Sequence, residues 1–448
     1  MLDDEIFRRF LLISQIYAYL CSKKGNMKQS KRDSRILADD FLDQIDDAYW
    51  DAEESGDWIN FHAQSQLSSK LDDVLDAAYK SVKRGNFEPA IDAGFNILRK
   101  NIGVINHNDD SYGYLGGIMH DALRLLRYIA GQNLDEDSHE LFIESCEKCL
   151  KDKIFDGWDW FVDVYDFLVM LAQTPDECRQ LIMRIKKDER LSKDYCVESQ
   201  MKFIHKLIEK SEGEEAALQF MMKNLQVEDF RKQAIDRAIN AKDFAQAYQL
   251  GEDGIEQDKE HRYGLISTWN ECLLKTAQAE GNRDRIVTYA KRLYFDSYNV
   301  EGDFYAILKA NVPQEQWQDF ALHLAEEVLH SGREELYAEI CARENWHQRL
   351  MDFVNRGLDI RTLREYEDML LASRRKDVID FYIRYIWHVM EGFRCRATYK
   401  DVCRYLRHIY RLGAGQQVII DIVNELRTRY RRCPALLEEL DCLPFIHS

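Results

Sequence analysis

Ala238–Leu250 reads AINAKDFAQAYQL. The spacing predicts that one helix ends near Ala241, a few polar residues turn the chain, and Phe244, Ala245, Ala247 and Tyr248 open the next helix. Small residues in such a joint let two helix backbones approach, while the aromatic beside them fills the groove. The same grammar recurs in RGNFEPAIDAGFNIL (Arg84–Leu98), SEGEEAALQFMMKNL (Ser211–Leu225) and AEGNRDRIVTYAKRL (Ala279–Leu293). It returns more loosely in SGREELYAEICAREN (Ser331–Asn345) and SRRKDVIDFYIRYI (Ser373–Ile386). Helix pairs of this kind bury their apolar faces by stacking on one another. The turn markers are unevenly spaced. The fold expected is therefore all-α, with degenerate TPR-like helical repeats stacked as an α-solenoid.

Bulk properties agree. Across 448 residues there are only 5 prolines and 21 glycines, too few for the turns of an all-β or α/β chain of this length. Hydrophobic residues reach 46%, enough for a continuous core, and the 31% that are charged supply the solvated helix faces. A net charge of −18 argues against a protein that coats nucleic acid along its whole surface. The balance reverses locally: residues 361–432 hold 16 Lys/Arg against 9 Asp/Glu. The 11 cysteines are dispersed, which suits free thiols in a reducing cytoplasm.

Four regions follow. Residues 1–34 comprise a helix from Asp3 to Cys21 and a basic linker, Ser22–Ser34. The apolar run Phe10–Cys21 is preceded by Asp3, Asp4 and Glu5, against the charge of a signal peptide, and is shorter than the roughly 20 residues that span a bilayer. It reads as a packed helix. Residues 35–173 form an N-terminal helical domain. Within it, Ile36, Leu37, Phe41, Ile45 and Tyr49 share one face, and Asp39, Asp40, Asp43, Asp46 and Asp47 face solvent. The helices Leu67–Arg84 and Phe87–Ile105 pair through Gly85–Asn86, and an Asp/Asn-rich turn caps the helix Tyr112–Ile129. Residues 174–357 hold the clearest repeats, including an apolar stripe Trp317, Phe320, Leu324 and Val328 behind Pro313. Residues 358–448 form an Arg/Tyr-rich C-terminal helical domain, with helices over Ile360–Leu371, Lys376–Glu391, Thr398–Leu412 and Gln416–Arg432.

Chemistry-bearing patterns are sparse. Cys146 and Cys149 form a C-x-x-C, but inside an amphipathic helix without a second Cys/His pair, so buried thiols are expected there. Trp158 and Trp160 read as core anchors, with an aromatic binding edge as the alternative. His205, His323 and His330 are isolated on their helices. No phosphate-binding loop, dinucleotide fingerprint, zinc-protease helix or nucleophile elbow occurs, and no residue stands out as catalytic. No metal or cofactor is expected. Arg404, Arg407 and Arg411 recur at helical spacing on one face, and Arg427 and Arg431 repeat the arrangement one helix later. With tyrosines interleaved, these five arginines are the candidate contacts for nucleic acid or for an acidic partner. The competing reading is that they pair with carboxylates of the chain itself.

Three stretches carry a family resemblance: RGNFEPAIDAGFNIL, NDDSYGYLGGIMHDAL (Asn108–Leu123) and YLRHIYRLGAGQQVIIDIVNELRTRYRRCPALLEEL (Tyr405–Leu440). Their order resembles the helical C-terminal region of bacterial SWIM zinc-finger proteins, from about Leu67 onward. The family's zinc module needs C-x-C followed by C-x-H, and neither pairing is present, so no zinc ligand is carried over. The resemblance implies a TPR-like scaffold in a bacterial protein, working beside nucleic-acid machinery, and no enzymatic role. Residues and resemblance together lead to the expectation of a cytoplasmic, non-enzymatic scaffold or adaptor for a protein partner. Nucleic-acid association through the basic C-terminal helices is the alternative.

Overall fold

The computed structural model describes residues 35–53, 59–193, 195–296, 301–392 and 395–443. The expected helix Asp3–Cys21 and the linker Ser22–Ser34 lie outside the described residues. Within them the chain is helical, with no strand. Its packing divides it into two compact units, up to Ala234 and from Ile235. That division falls inside the segment 174–357, which the sequence presents as one run of repeats.

The first unit contains α1 (residues 35–53), α2 (Phe61–Lys83), α3 (Glu88–Ile105), α4 (Tyr114–Ala130), α5 (Glu136–Lys151), α6 (Phe161–Leu171), α7 (Pro175–Lys187), α8 (Val197–Glu212) and α9 (Glu214–Met222). Capping fixes where these helices start. Asn60 accepts from the Ala63 amide at 3.1 Å, and Thr174 and Glu177 form a reciprocal capping box. The expected cap of α4 is Asp110, whose two carboxylate oxygens accept from Leu115 N at 2.9 Å and Gly116 N at 2.8 Å. Packing follows a two-layer order. From α2 onward most helices meet their successors, and α2, α4, α6 and α8 also meet one another in sequence, as α3 meets α5. Phe41, Ile45 and Tyr49 are buried on α1, and its five aspartates are exposed as expected. Ile36, placed by periodicity on the buried face, is 59% exposed because the first turn of α1 reaches past the core.

Residues 228–240 form α10 (Glu228–Asn240), within which the division falls. The second unit continues with α11 (Phe244–Asp258), α12 (Gly264–Glu280), α13 (Arg283–Phe295), α14 (Phe304–Asn311), α15 (Trp317–His330), α16 (Glu334–Arg343) and α17 (His347–Gly357). It ends with α18 (Ile360–Glu365), α19 (Glu367–Glu391), α20 (Arg396–Arg411), α21 (Gln416–Arg429) and α22 (Pro434–Asp441). The joint at Ala238–Leu250 is built as read. Lys242 turns the chain at φ 59°, the Asp243 carboxylate caps Gln246 N at 3.1 Å, and Phe244 starts α11.

Close helix approach depends on residues one or two turns further along than expected. A Cβ on Gly251 would lie 2.6 Å from Leu273 Cδ2, and one on Gly94 would lie 2.8 Å from Leu126 Cδ2. The glycines, and not Ala245, which is exposed, let α11 meet α12 and α3 meet α4. The loosest of the joints departs from expectation. Through SRRKDVIDFYIRYI no glycine or proline stops the helix, so α19 runs on with a kink in which Arg374 alone leaves helical geometry, at φ −131° and ψ 30°. The chain is thus an all-α fold of degenerate helical pairs stacked in sequence within each unit.

Candidate interaction surfaces

In the first unit α4, α6 and α8 lie side by side, and their shared outer face is a groove. Two cavities of about 610 and 400 Å³ adjoin along it, both lined by Arg127, Val162, Asp163 and Ser199. Its polar side chains answer one another. Arg127 donates to Asp163 Oδ1 at 2.8 Å and to Asp166 Oδ2, and Lys206 reaches the other Asp166 oxygen at 3.2 Å. Lys202 meets Asp229 at 2.5 Å. Asp166 is buried and therefore needs these two cations. Burial raises the Asp163 carboxyl above the ordinary carboxylate range, with Arg127 opposing. Burial likewise lowers His205, whose ring sits 5.1 Å from that of Phe230.

One end of the groove is aromatic. Trp158 and Trp160 stack at 4.6 Å with their planes 13° apart, and the Trp158 Nε1–H donates to Asn106 Oδ1 at 2.7 Å. Trp158 is 37% exposed and Tyr195, which lines the same cavity as Trp160, is 65% exposed. The reading as core anchors is corrected for Trp158, which is exposed, while Trp160 is half-buried and packs against the core beside Phe155 and Phe161.

In the second unit the basic face resolves into different fates for its five candidate arginines. Arg404, Arg407 and Arg411 line one cavity of about 380 Å³, joined by Arg364 from α18 and by Glu367, Tyr382, Tyr405 and His408. Glu367 accepts from His408 Nε2 at 2.9 Å and from the Tyr382 hydroxyl. Arg404 pairs with Asp401 at 2.9 Å. Arg427 is tied to Asp441 of α22, and Arg431 stands exposed after α21, outside that cavity.

The remaining candidates are also placed. Cys146 and Cys149 are buried, and burial raises both thiols, with Arg99 opposing at Cys149. No disulfide joins any of the ten described cysteines. Glu88, Asp135 and Asp137 bring carboxylate oxygens within 4.8 Å of one another, a set on two different helices that periodicity does not reveal. Asp135 is already engaged, capping α5 through Ser138 N and Oγ. The Ser373 hydroxyl lies 2.5 Å from His347 Nδ1, another pair that sequence spacing hides. The other nitrogen of that ring is buried without a hydrogen-bond partner, so no carboxylate orients the imidazole as a triad requires. No described helix is long and apolar enough to cross a membrane.

No family model matches the chain, and no curated protein matches it. Among solved structures it is similar to a protein described as a circular tandem repeat protein with novel repeat topology and enhanced subunit contact surfaces. The identity is 15% over 92% of this chain and 95% of that one, with a TM-score of 0.21, too low to carry an argument.

Proposed function

We propose that this chain is a non-enzymatic helical-repeat scaffold or adaptor that holds an extended segment of a protein partner along the groove of α4, α6 and α8. The observation that carries this reading is the pair of adjoining cavities across three neighbouring helices, ending at Trp160 and the exposed ring of Tyr195. Exposed aromatics beside a concave polar face are the usual anchors of such contacts. Charge does not select the partner in the way the net charge of −18 suggests. Of the four groove carboxylates, Asp163, Asp166 and Asp229 are taken by Arg127, Lys206 or Lys202, and Arg124 in the same lining offsets Asp159, leaving a balanced charge. The resemblance drawn from the sequence points the same way.

Selection of peptides from a random library on the full chain tests this. Enriched peptides are expected to lose about thirtyfold in affinity on Trp160→Ala or Tyr195→Ala, the scale of an interface anchor. Peptides that bind those variants as well as the parent chain count against the groove. The alternative, nucleic-acid association, has the cavity of Arg404, Arg407 and Arg411 in its favour and the Arg427–Asp441 pair against it.

A further inference from the structure

The cavity between α18, α19 and α20 is a second surface, independent of the groove. Four guanidinium groups, Arg364, Arg404, Arg407 and Arg411, line about 380 Å³. The ring of Tyr405 lies within 5.3 Å of the Arg364 guanidinium and 5.6 Å of that of Arg404, which steadies both. One carboxylate, Glu367, shares the lining, and it is occupied by His408 and Tyr382. Arg407 and Arg411 have no carboxylate within ion-pair distance among the described residues. In a chain of net charge −18, a concave site with two guanidiniums that no acid among the described residues pairs is a local reversal of charge.

We propose that this cavity binds a compact phosphate group, the di- or triphosphate of a small molecule. Guanidinium forks match phosphate oxygens in pairs, and a site of this volume suits a small ligand. A nucleic-acid strand instead needs cations in a row along its backbone. Two arginines that would extend such a row are already committed, Arg427 to Asp441 and Arg396 to Glu438 at 3.1 Å and Glu439 at 3.0 Å, and Arg431 lies outside the cavity. The positive field therefore stays local.

Calorimetric titration of the full chain with inorganic pyrophosphate in low salt tests the site, with ADP titrated in parallel. The expected result is saturable binding at one site, weakened about tenfold by Arg407→Ala and by Arg411→Ala and unchanged by Arg427→Ala. Equal affinity for ADP assigns recognition to the phosphates alone, and tighter ADP assigns a nucleoside phosphate. The thermal melt of each variant confirms folding; Arg411 is exposed and Arg407 half-buried. Three results overturn the proposal: no saturable binding, binding indifferent to both variants, or tight binding of a 20-nucleotide single strand that falls as much on Arg427→Ala as on Arg411→Ala. Because neither variant touches α4, α6 or α8, failure here leaves the groove reading standing.

Discussion

The helices between Phe61 and Glu212 and those between Phe244 and Glu344 solve the same packing problem differently. In the first set, each of α2, α4 and α6 touches the next helix but one directly, and Arg127, Asp166 and Lys206 tie α4, α6 and α8 together. In the second, the closest packing runs to the next helix, and longer links are made by individual side chains, among them the Tyr248–Tyr289 ring stack between α11 and α13. Tyr289 of α13 reaches back to Glu252 of α11 at 3.2 Å, and Lys291 reaches forward to Glu327 of α15 at 2.6 Å. Tyr294 donates to Glu339 at 3.3 Å, and Tyr305 and Lys309 both reach Glu344, at 3.1 and 2.6 Å. Buried tyrosines need partners for their hydroxyls, and these carboxylates provide them. The difference has a functional side. Direct contact of alternate helices in the first set brings their outer faces side by side into one long groove, lined in part by the ion pairs that link them.

Breaking one polar link should show this most strongly. Glu344→Ala removes the acceptor of Tyr305, Lys309 and Gln318, and is expected to cost about 2 kcal/mol in denaturant unfolding, since the half-exposed lysine recovers its hydration. Asp163→Ala in the groove should cost well under half as much, because Arg127 keeps Asp166. Equal losses would erase the contrast. The effect also carries a pH signature. Burial alone would raise the Glu344 carboxyl, but hydrogen bonds from Lys309 and Tyr305 hold it below its ordinary value. Its contribution is thus present above about pH 4.3, the unfolded value, and lost as pH falls through the lowered one. The gap between parent and variant should close in acid.

A smaller effect tests what the two sets share. Gly251→Ala and Gly94→Ala would each gain helix propensity of about 1 kcal/mol if the space were open. With Leu273 and Leu126 closer than 3 Å to the new methyl group, each is expected instead to destabilise by about 1 kcal/mol net. Stabilisation in a thermal melt would show that the helices do not meet there.

Much of the fold was legible because its signals are local. Gly85, Gly281 and Gly332 take positive φ at the turns where they were read, and Asp135, Asp243 and Asn282 cap the helices that follow. Where local signals are weak, the reading drifted. Pro313 begins a turn and the helix starts at Trp317, and the expected break near Ser373 is a kink. The groove was not legible at all, since Arg127, Asp166 and Lys206 come from three helices and meet only when those helices stack. The basic stripe was half legible: spacing places Arg404, Arg407 and Arg411 on one face of α20. It does not reveal that α18 contributes Arg364 or that α22 withdraws Arg427.

The central claim is that the face shared by α4, α6 and α8 is the binding surface. Hydrogen exchange of the full chain, with and without a peptide enriched on it, tests this most directly. New protection is predicted across Tyr114–Ala130, Phe161–Leu171 and Val197–Glu212, with Gln416–Arg429 unchanged. Protection confined to helices outside that face would contradict the account.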